Sequence, residues 1–169
     1  VDLVFEINEG PSTGVRSINF VGNRDFGDGT LRGVIDTKES RWYRFFSNSD
    51  TYDPDRLTYD RELLRKFYLS QGYADFRVIS GVAELTPDQD GFIVTFTVDE
   101  GHRYKFGKVD VNIKLKDLPR ADVLPLLRVH AGDWYDADAV EKTISNLTDA
   151  LGNRGYAFVQ VRPEITRNP

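Results

Sequence analysis

The residues of this chain that could carry chemistry are few, and their spacing argues against most of it. The two histidines, His102 and His130, stand 28 residues apart, and neither has a second histidine three or four positions away to share a metal on one helix face. Cysteine is absent, which removes disulfides, thiolate metal sites and thiol nucleophiles, and fits a cytosolic or a periplasmic protein equally. Gly27, Gly29 and Gly33 in "GDGTLRG" are spaced one residue too far for the dinucleotide fingerprint. The helical stretch after them is too short to offer a pyrophosphate much dipole, so they read as a turn. "DQDG", residues 88–91, begins like a calcium loop, but no glutamate closes it and the next carboxylate, Asp99, falls on a following strand. Asp53 and Asp55 sit at a helix start, where they complement the dipole without doing acid–base work, and no G-x-S-x-G element occurs. No enzymatic activity, no metal and no cofactor is expected. One cluster remains: "RWYRFF", residues 41–46, whose four aromatics and two arginines suit stacking on bases, a membrane surface or a packed core.

Composition bounds the elements that must position these residues. With 169 residues, 40% hydrophobic and 29% charged, the chain can form one domain or two small ones. No window approaches the roughly 18 to 20 apolar residues of a membrane-spanning helix, and "VDLVFEINEG" has neither a basic leader nor a cleavage site. A net charge of −5 weighs against a general nucleic-acid binder, whose affinity comes largely from neutralising phosphates.

Self-similarity organises the chain. "KFYLSQGYADFRV" matches "DALGNRGYAFVQV", placing Tyr73 and Tyr156 83 residues apart, and the same offset carries Tyr52-Asp53 onto Tyr135-Asp136. "FEINEG" matches "FTVDEG" with Gly10 and Gly101 91 residues apart. The two offsets differ by eight, so the first copy of a tandem repeat carries about eight extra residues before its long helix, and "RWYRFF" lies there.

Within each copy the periodicities predict β-α-α-β-β. "VRSINFVGN" alternates Val15, Ser17 and Asn19 against Arg16, Ile18 and Phe20 and ends in a turn at Gly22-Asn23. A short helix is expected over residues 29–35. A long helix follows, with Asp53 as N-cap, Pro54 at its first position, Leu57, Leu64, Phe67 and Tyr68 on one face, and Gly72 at its end. Its counterpart over 136–154 carries Val140, Ile144, Leu147 and Leu151 and stops at Gly155. A strand follows each long helix. In the first copy the "TPDQDG" turn returns the chain into "FIVTFTVDEG", where Val94, Phe96 and Val98 oppose Ile93, Thr95 and Thr97.

This order resembles the polypeptide-transport-associated (POTRA) domain, with a Gly-Tyr pair at the helix exit, "VGN" after the first strand and "EG" after the last. "INFVGNRDF", "LRKFYLSQGYADFRV", "LTPDQDGFIVTFTVDEGHRYKFGKVDV" and "GNRGYAFVQVRPEI" run in the order of the second and third POTRA domains of the outer-membrane β-barrel assembly family of Gram-negative bacteria. The resemblance implies an α+β fold of tandem POTRA domains, each a three-stranded mixed sheet covered on one face by two helices. Residues 1–11 would be the last strand of a preceding POTRA domain, 12–102 the second domain, and 103–169 the third without its final strand. Signal peptide, remaining POTRA domains and C-terminal barrel would then lie outside these residues. An incomplete third sheet leaves backbone donors and acceptors to be met, so "VDLVFEINEG" is expected to pair into that vacancy.

The functional expectation is binding. An exposed sheet edge adds an extended peptide through main-chain hydrogen bonds, with little demand on sequence. The resemblance implies a periplasmic scaffold and chaperone-like module, whose partners are unfolded outer-membrane protein precursors, assembly-machinery lipoproteins, neighbouring POTRA domains and the parent's barrel. No nucleic acid is among them. Two rails are expected: Ala74, Asp75, Phe76, Arg77, Val78 and Ile79, and Ala157, Phe158, Val159, Gln160, Val161 and Arg162, the second shortened by Pro163. Trp42, Tyr43, Phe45 and Phe46 form a possible aromatic contact patch rimmed by Arg41 and Arg44, either packed on the helices alone or also meeting a partner. Two alternatives stand beside this reading. One is a POTRA pair from the translocation and assembly module or a two-partner secretion transporter. The other is a single-stranded RNA module, disfavoured by the charge and by the lack of a GXXG clamp.

Overall fold

The computed structural model describes residues 14–39, 54–114, 117–156 and 158–166. The expected N-terminal strand, the N-cap Asp53 and the whole of "RWYRFF" lie outside the described residues. The backbone divides into two compact units, Val1–Leu64 with Val78–Asp99, and Arg65–Arg77 with Glu100–Pro169.

The first unit is built on a three-stranded mixed sheet, β1 (Gly14–Val21), β2 (Arg77–Leu85) and β3 (Gly91–Asp99), in the order β1-β3-β2. The last strand in sequence is therefore central. It pairs parallel to β1, from Gly14 opposite Gly91 to Val21 opposite Thr97. A five-residue turn over 86–90 joins it to β2, closed by Thr86 N–H donating to the Gly91 carbonyl at 2.8 Å, so β2 and β3 run antiparallel. Val94, Phe96 and Val98 of β3 are all buried, as the alternation predicts.

Strict alternation fails in β1. The register slips between Val15 and Ser17, a bulge that lets Val15 point inward together with Ile18 and Phe20 although the first two are three positions apart. The expected pairing of Val15 with the Ser17 and Asn19 face is thus corrected: one extra residue changes the phase of everything before it.

Helices α1 (Asp28–Val34) and α2 (Pro54–Ser70) stand between β1 and β2 in sequence. Leu31 and Ile35 are buried, as are Leu57, Leu64 and Tyr68 on α2, where spacings of seven and four keep one stripe inward. Arg61, from the same helix, donates to the Gly81 carbonyl of β2 at 2.8 Å, which lays α2 over the sheet. The ring of Phe96 stacks on Phe20 at 5.7 Å beneath.

In the second unit, α3 (Arg120–Val123) runs into a 3-10 turn over Leu124–Leu126, and α4 (Ala137–Asn153) follows. Asp136 caps α4, accepting from Ala139 N–H at 3.1 Å. Leu118, Val123, Leu147 and Leu151 form the core, with Val111, Ile113, Val159 and Val161 half-buried against them. Residues 107–114 and 158–162 alternate inward and outward as strands do, yet among the described residues they carry no ladder. An isolated antiparallel bridge joins Lys105 to Trp134, outside both segments.

A position equivalent in both long helices holds the loop that leaves the short helix. Asp60, fully buried on α2, accepts from the amides of Asp36 at 2.7 Å and Thr37 at 3.3 Å. Thr143, 83 residues later on α4, accepts from Arg128 N–H at 3.2 Å and donates to the Ala139 carbonyl. Neither was singled out by the sequence, because a polar residue on a helix face carries no sign of being turned inward.

Candidate functional site

An edge strand offers two things to a partner, a row of backbone groups and the side chains beside them. Strand β2 is the end of the sheet order, with β3 on one side and no further described strand on the other. Its burial pattern starts with Arg77 and Ile79 outward, shifts phase at Gly81, and resumes with Val82 and Glu84 outward. Ile79 is 59% exposed and Val82 48%, so the strand presents apolar side chains to solvent. Isolated exposed apolar residues are ordinary, but two on one sheet end, continued by the exposed Leu85, make a short apolar strip.

The far end of this strip is fixed by charge. Arg16 donates to Asp88 at 2.9 Å and to Asp90 at 2.8 Å, pinning the 86–90 turn to β1. The Thr86 hydroxyl and the Arg16 guanidinium hold the Asp88 carboxyl down to about 2, and the two carboxylates in turn raise the pKa of Arg16.

The residues just before the strand belong to the second unit and pack there. Residues 74–76 do not join the ladder; they form the turn that leaves α2, with Ala74 N–H on the Gly72 carbonyl and Phe76 N–H on that of Tyr73. Phe76 is buried, its ring stacked on Tyr68 at 4.0 Å, and the Tyr68 hydroxyl donates to the buried Glu100 at 2.8 Å. Tyr104 closes over this turn: its N–H donates to the Gly72 carbonyl at 2.8 Å and its hydroxyl to Asp75 at 2.5 Å. Gly72 has φ +102°, and a methyl there would sit 3.0 Å from the Arg103 side chain, so both backbone and neighbour call for glycine. Arg103 donates to the Gln71 carbonyl and lies 4.0 Å over the Trp134 ring, which Lys105 also approaches at 4.7 Å.

The first expected rail is therefore divided. Arg77, Val78 and Ile79 lie on the edge strand, whereas Ala74, Asp75 and Phe76 lie in the turn that leaves α2. In the second expected rail, Phe158 is 99% exposed, Val159 and Val161 face the core, and Arg162 donates to Gln160 at 2.8 Å. Ala157, with Trp42, Tyr43, Phe45 and Phe46, lies outside the described residues. Sequence reading passed over Arg103, Tyr104 and Trp134, whose only signal was an Arg-Tyr pair one residue after the Glu-Gly that ends the repeat. Among the described residues no cluster of histidine and acidic groups could hold a metal ion, and no helix is long and apolar enough to cross a membrane.

Comparison with known proteins places this geometry. The POTRA family profile, surface antigen variable number repeat, matches residues 13–101 and again 104–169. The outer membrane protein assembly factor BamA of Neorickettsia risticii is 32% identical over 97% of this chain and 22% of its own length. BamA of Neisseria meningitidis serogroup B is 27% identical over 95% of this chain and 20% of its own. The chain thus spans about a fifth of the length of these relatives. The crystal structure of Haemophilus influenzae BamA POTRA3-5 superposes with a TM-score of 0.69 at 23% identity, covering 89% of this chain and 59% of that one, a likeness of fold.

Proposed function

The chain belongs to the POTRA family, and on that premise we propose that it is a periplasmic scaffold of outer-membrane protein assembly, binding extended segments of its partners by strand addition to β2. Residues 12–102 and 103–169 serve as the second and third POTRA domains of a parent whose C-terminal barrel lies in the outer membrane. Its clients are unfolded outer-membrane protein precursors, and its standing partners are the lipoproteins of the assembly machine. It is not an enzyme.

The observation that carries the reading is β2 itself, an end strand with Ile79 and Val82 facing solvent beside its backbone edge. Main-chain hydrogen bonds along such an edge are indifferent to client sequence, while the apolar strip favours the alternating strands from which membrane barrels are made. The anchor of Arg16 on Asp88 and Asp90 keeps the 86–90 end of the strand in place before a client arrives, so little ordering is needed there on binding.

Replacing Ile79 and Val82 together by lysine tests this, because both side chains are solvent-facing and the core is untouched. Titration with a peptide copied from an outer-membrane protein strand should show at least tenfold weaker binding with an unchanged melting temperature. Equal affinity in the double variant contradicts strand addition at β2.

A further inference from the structure

Residues 102–108, "HRYKFGK", carry the basic side chains of His102, Arg103, Lys105 and Lys108 and no acidic one, in a chain whose net charge is −5. Within this stretch Arg103 and Lys105 are exposed while Tyr104 and Phe106 are half-buried, the alternation of an extended run. Antiparallel bonds to residues 132–135 of the same unit hold the run in place. Phe106 N–H donates to the Asp133 carbonyl and Gly132 N–H to that of Phe106, both at 2.8 Å, and Tyr135 N–H donates to the Tyr104 carbonyl at 2.9 Å. On the inner side the rings of Phe106 and Tyr135 meet at 5.5 Å. On the outer side Trp134 is 46% exposed, with the Arg103 guanidinium 4.0 Å and the Lys105 ammonium 4.7 Å from its ring centre. Lys108 pairs with Asp110, and His130 lies 3.5 Å from Asp133, but among the described residues Arg103 and Lys105 form no ion pair. Arg103 uses only its Nε, on the Gln71 carbonyl at 2.8 Å, and its two terminal nitrogens keep their donors for a ligand.

We propose that Arg103, Lys105 and Trp134 form a docking platform for an extended acidic segment of a protein partner. Arg103 and Lys105 stand two positions apart on the outer side of an extended run, so their spacing matches two carboxylates two positions apart on a strand-like segment. The guanidinium takes one carboxylate through the donors that Gln71 leaves open, and the ammonium takes the other. An apolar side chain next on the same face of the segment covers the exposed Trp134 ring. That ring already lies against both cations, so docking orders little that is not ordered beforehand, and tryptophan and arginine are the residues on which interface energy concentrates. A phosphate-bearing membrane surface fits this platform less well. Such surfaces are held by clusters of about four to eight lysines and arginines, whereas here two cations stand on an acidic molecule. The proposal is independent of client binding at β2.

Titration with the synthetic peptide Thr-Glu-Thr-Glu-Thr-Val-Thr, read by Trp134 emission in a Trp42→Phe background that leaves one tryptophan, tests it. Expected is a saturable change in emission that the same peptide with both glutamates replaced by glutamine does not produce. Arg103→Gln combined with Lys105→Gln should weaken binding about fivefold at an unchanged melting temperature. If that pair of substitutions lowers the melting temperature, Lys105→Gln alone carries the test, because the Lys105 ammonium makes no hydrogen bond among the described residues, and it should weaken binding about twofold. No change in Trp134 emission overturns the proposal, as does an affinity that ignores these substitutions, which places the peptide on another surface such as β2. Vesicles of phosphatidylglycerol that shift Trp134 emission where the peptide does not assign the platform to a membrane surface and overturn it as well.

Discussion

The two repeats carry nearly the same sequence signals, and among the described residues those signals form different structures. In the first, β3 lies between β1 and β2 and buries Val94, Phe96 and Val98. In the second, two segments with the right alternation lie half-buried on Leu118, Val123, Leu147 and Leu151, with no ladder among the described residues. The helix exits differ in the same way. A side chain at Gly72 would meet Arg103 and Tyr104, whereas one at Gly155, with φ +92°, would meet nothing within 4 Å. The contrast teaches that alternation alone does not make a ladder: among the described residues β1 and β2 belong to one because β3 lies between them.

The largest difference should appear between losing a core ring of the first repeat and losing an exposed ring of the second. Phe96→Ala empties a fully buried site beside Phe20 and should cost about 3–5 kcal/mol in denaturant unfolding. Phe158→Ala, in the expected rail of the second repeat, removes a ring that is 99% exposed and should stay within about 0.5 kcal/mol. Comparable losses would mean that the second repeat is as closed as the first.

A smaller effect sharpens what the repeats share. Asp60→Ala leaves the Asp36 and Thr37 amides without their acceptor, at a cost of about 1–3 kcal/mol. Thr143→Ala removes one acceptor from Arg128 N–H and should cost about 1 kcal/mol. Both are read from chemical denaturation, and a neutral Asp60→Ala would break the equivalence drawn between them.

The smallest effect is a pH dependence at the 86–90 turn of the first repeat. The folded pKa of Asp88, about 2, lies below its ordinary value, so the stabilisation it brings is complete above the usual carboxylate range. It is lost as pH falls through 4 toward that depressed value. A carboxyl carbon titration by NMR should give a midpoint near 2 for Asp88, moving back up in Arg16→Gln. A midpoint that ignores this substitution removes Arg16 from the account.

Much of this was legible in the sequence because it rests on period and punctuation. Pro54 opens α2, Asp136 caps α4, and the 86–90 turn sits between two alternating runs, each signal acting through its own backbone. The bulge at Arg16 was not legible, because it depends on register against β3, a strand some 75 residues away. Nor was the start of the edge. "YADFRV" reads as one strand, but Phe76 stacking on Tyr68 and Asp75 bonding to Tyr104 draw its first residues into a turn, and those contacts exist only once the chain has folded. The candidate site was accordingly half visible: Arg77, Val78 and Ile79 were placed on the edge, while Val82, Leu85 and the anchoring Tyr104 went unmarked.

The central claim, that β2 is the edge on which clients add a strand, is tested most directly by amide NMR of the chain titrated with an unfolded outer-membrane protein segment. Strand addition predicts shift changes and new exchange protection concentrated on Arg77–Leu85, with β1 little changed. Changes that leave Arg77–Leu85 untouched while the segment still binds would contradict it.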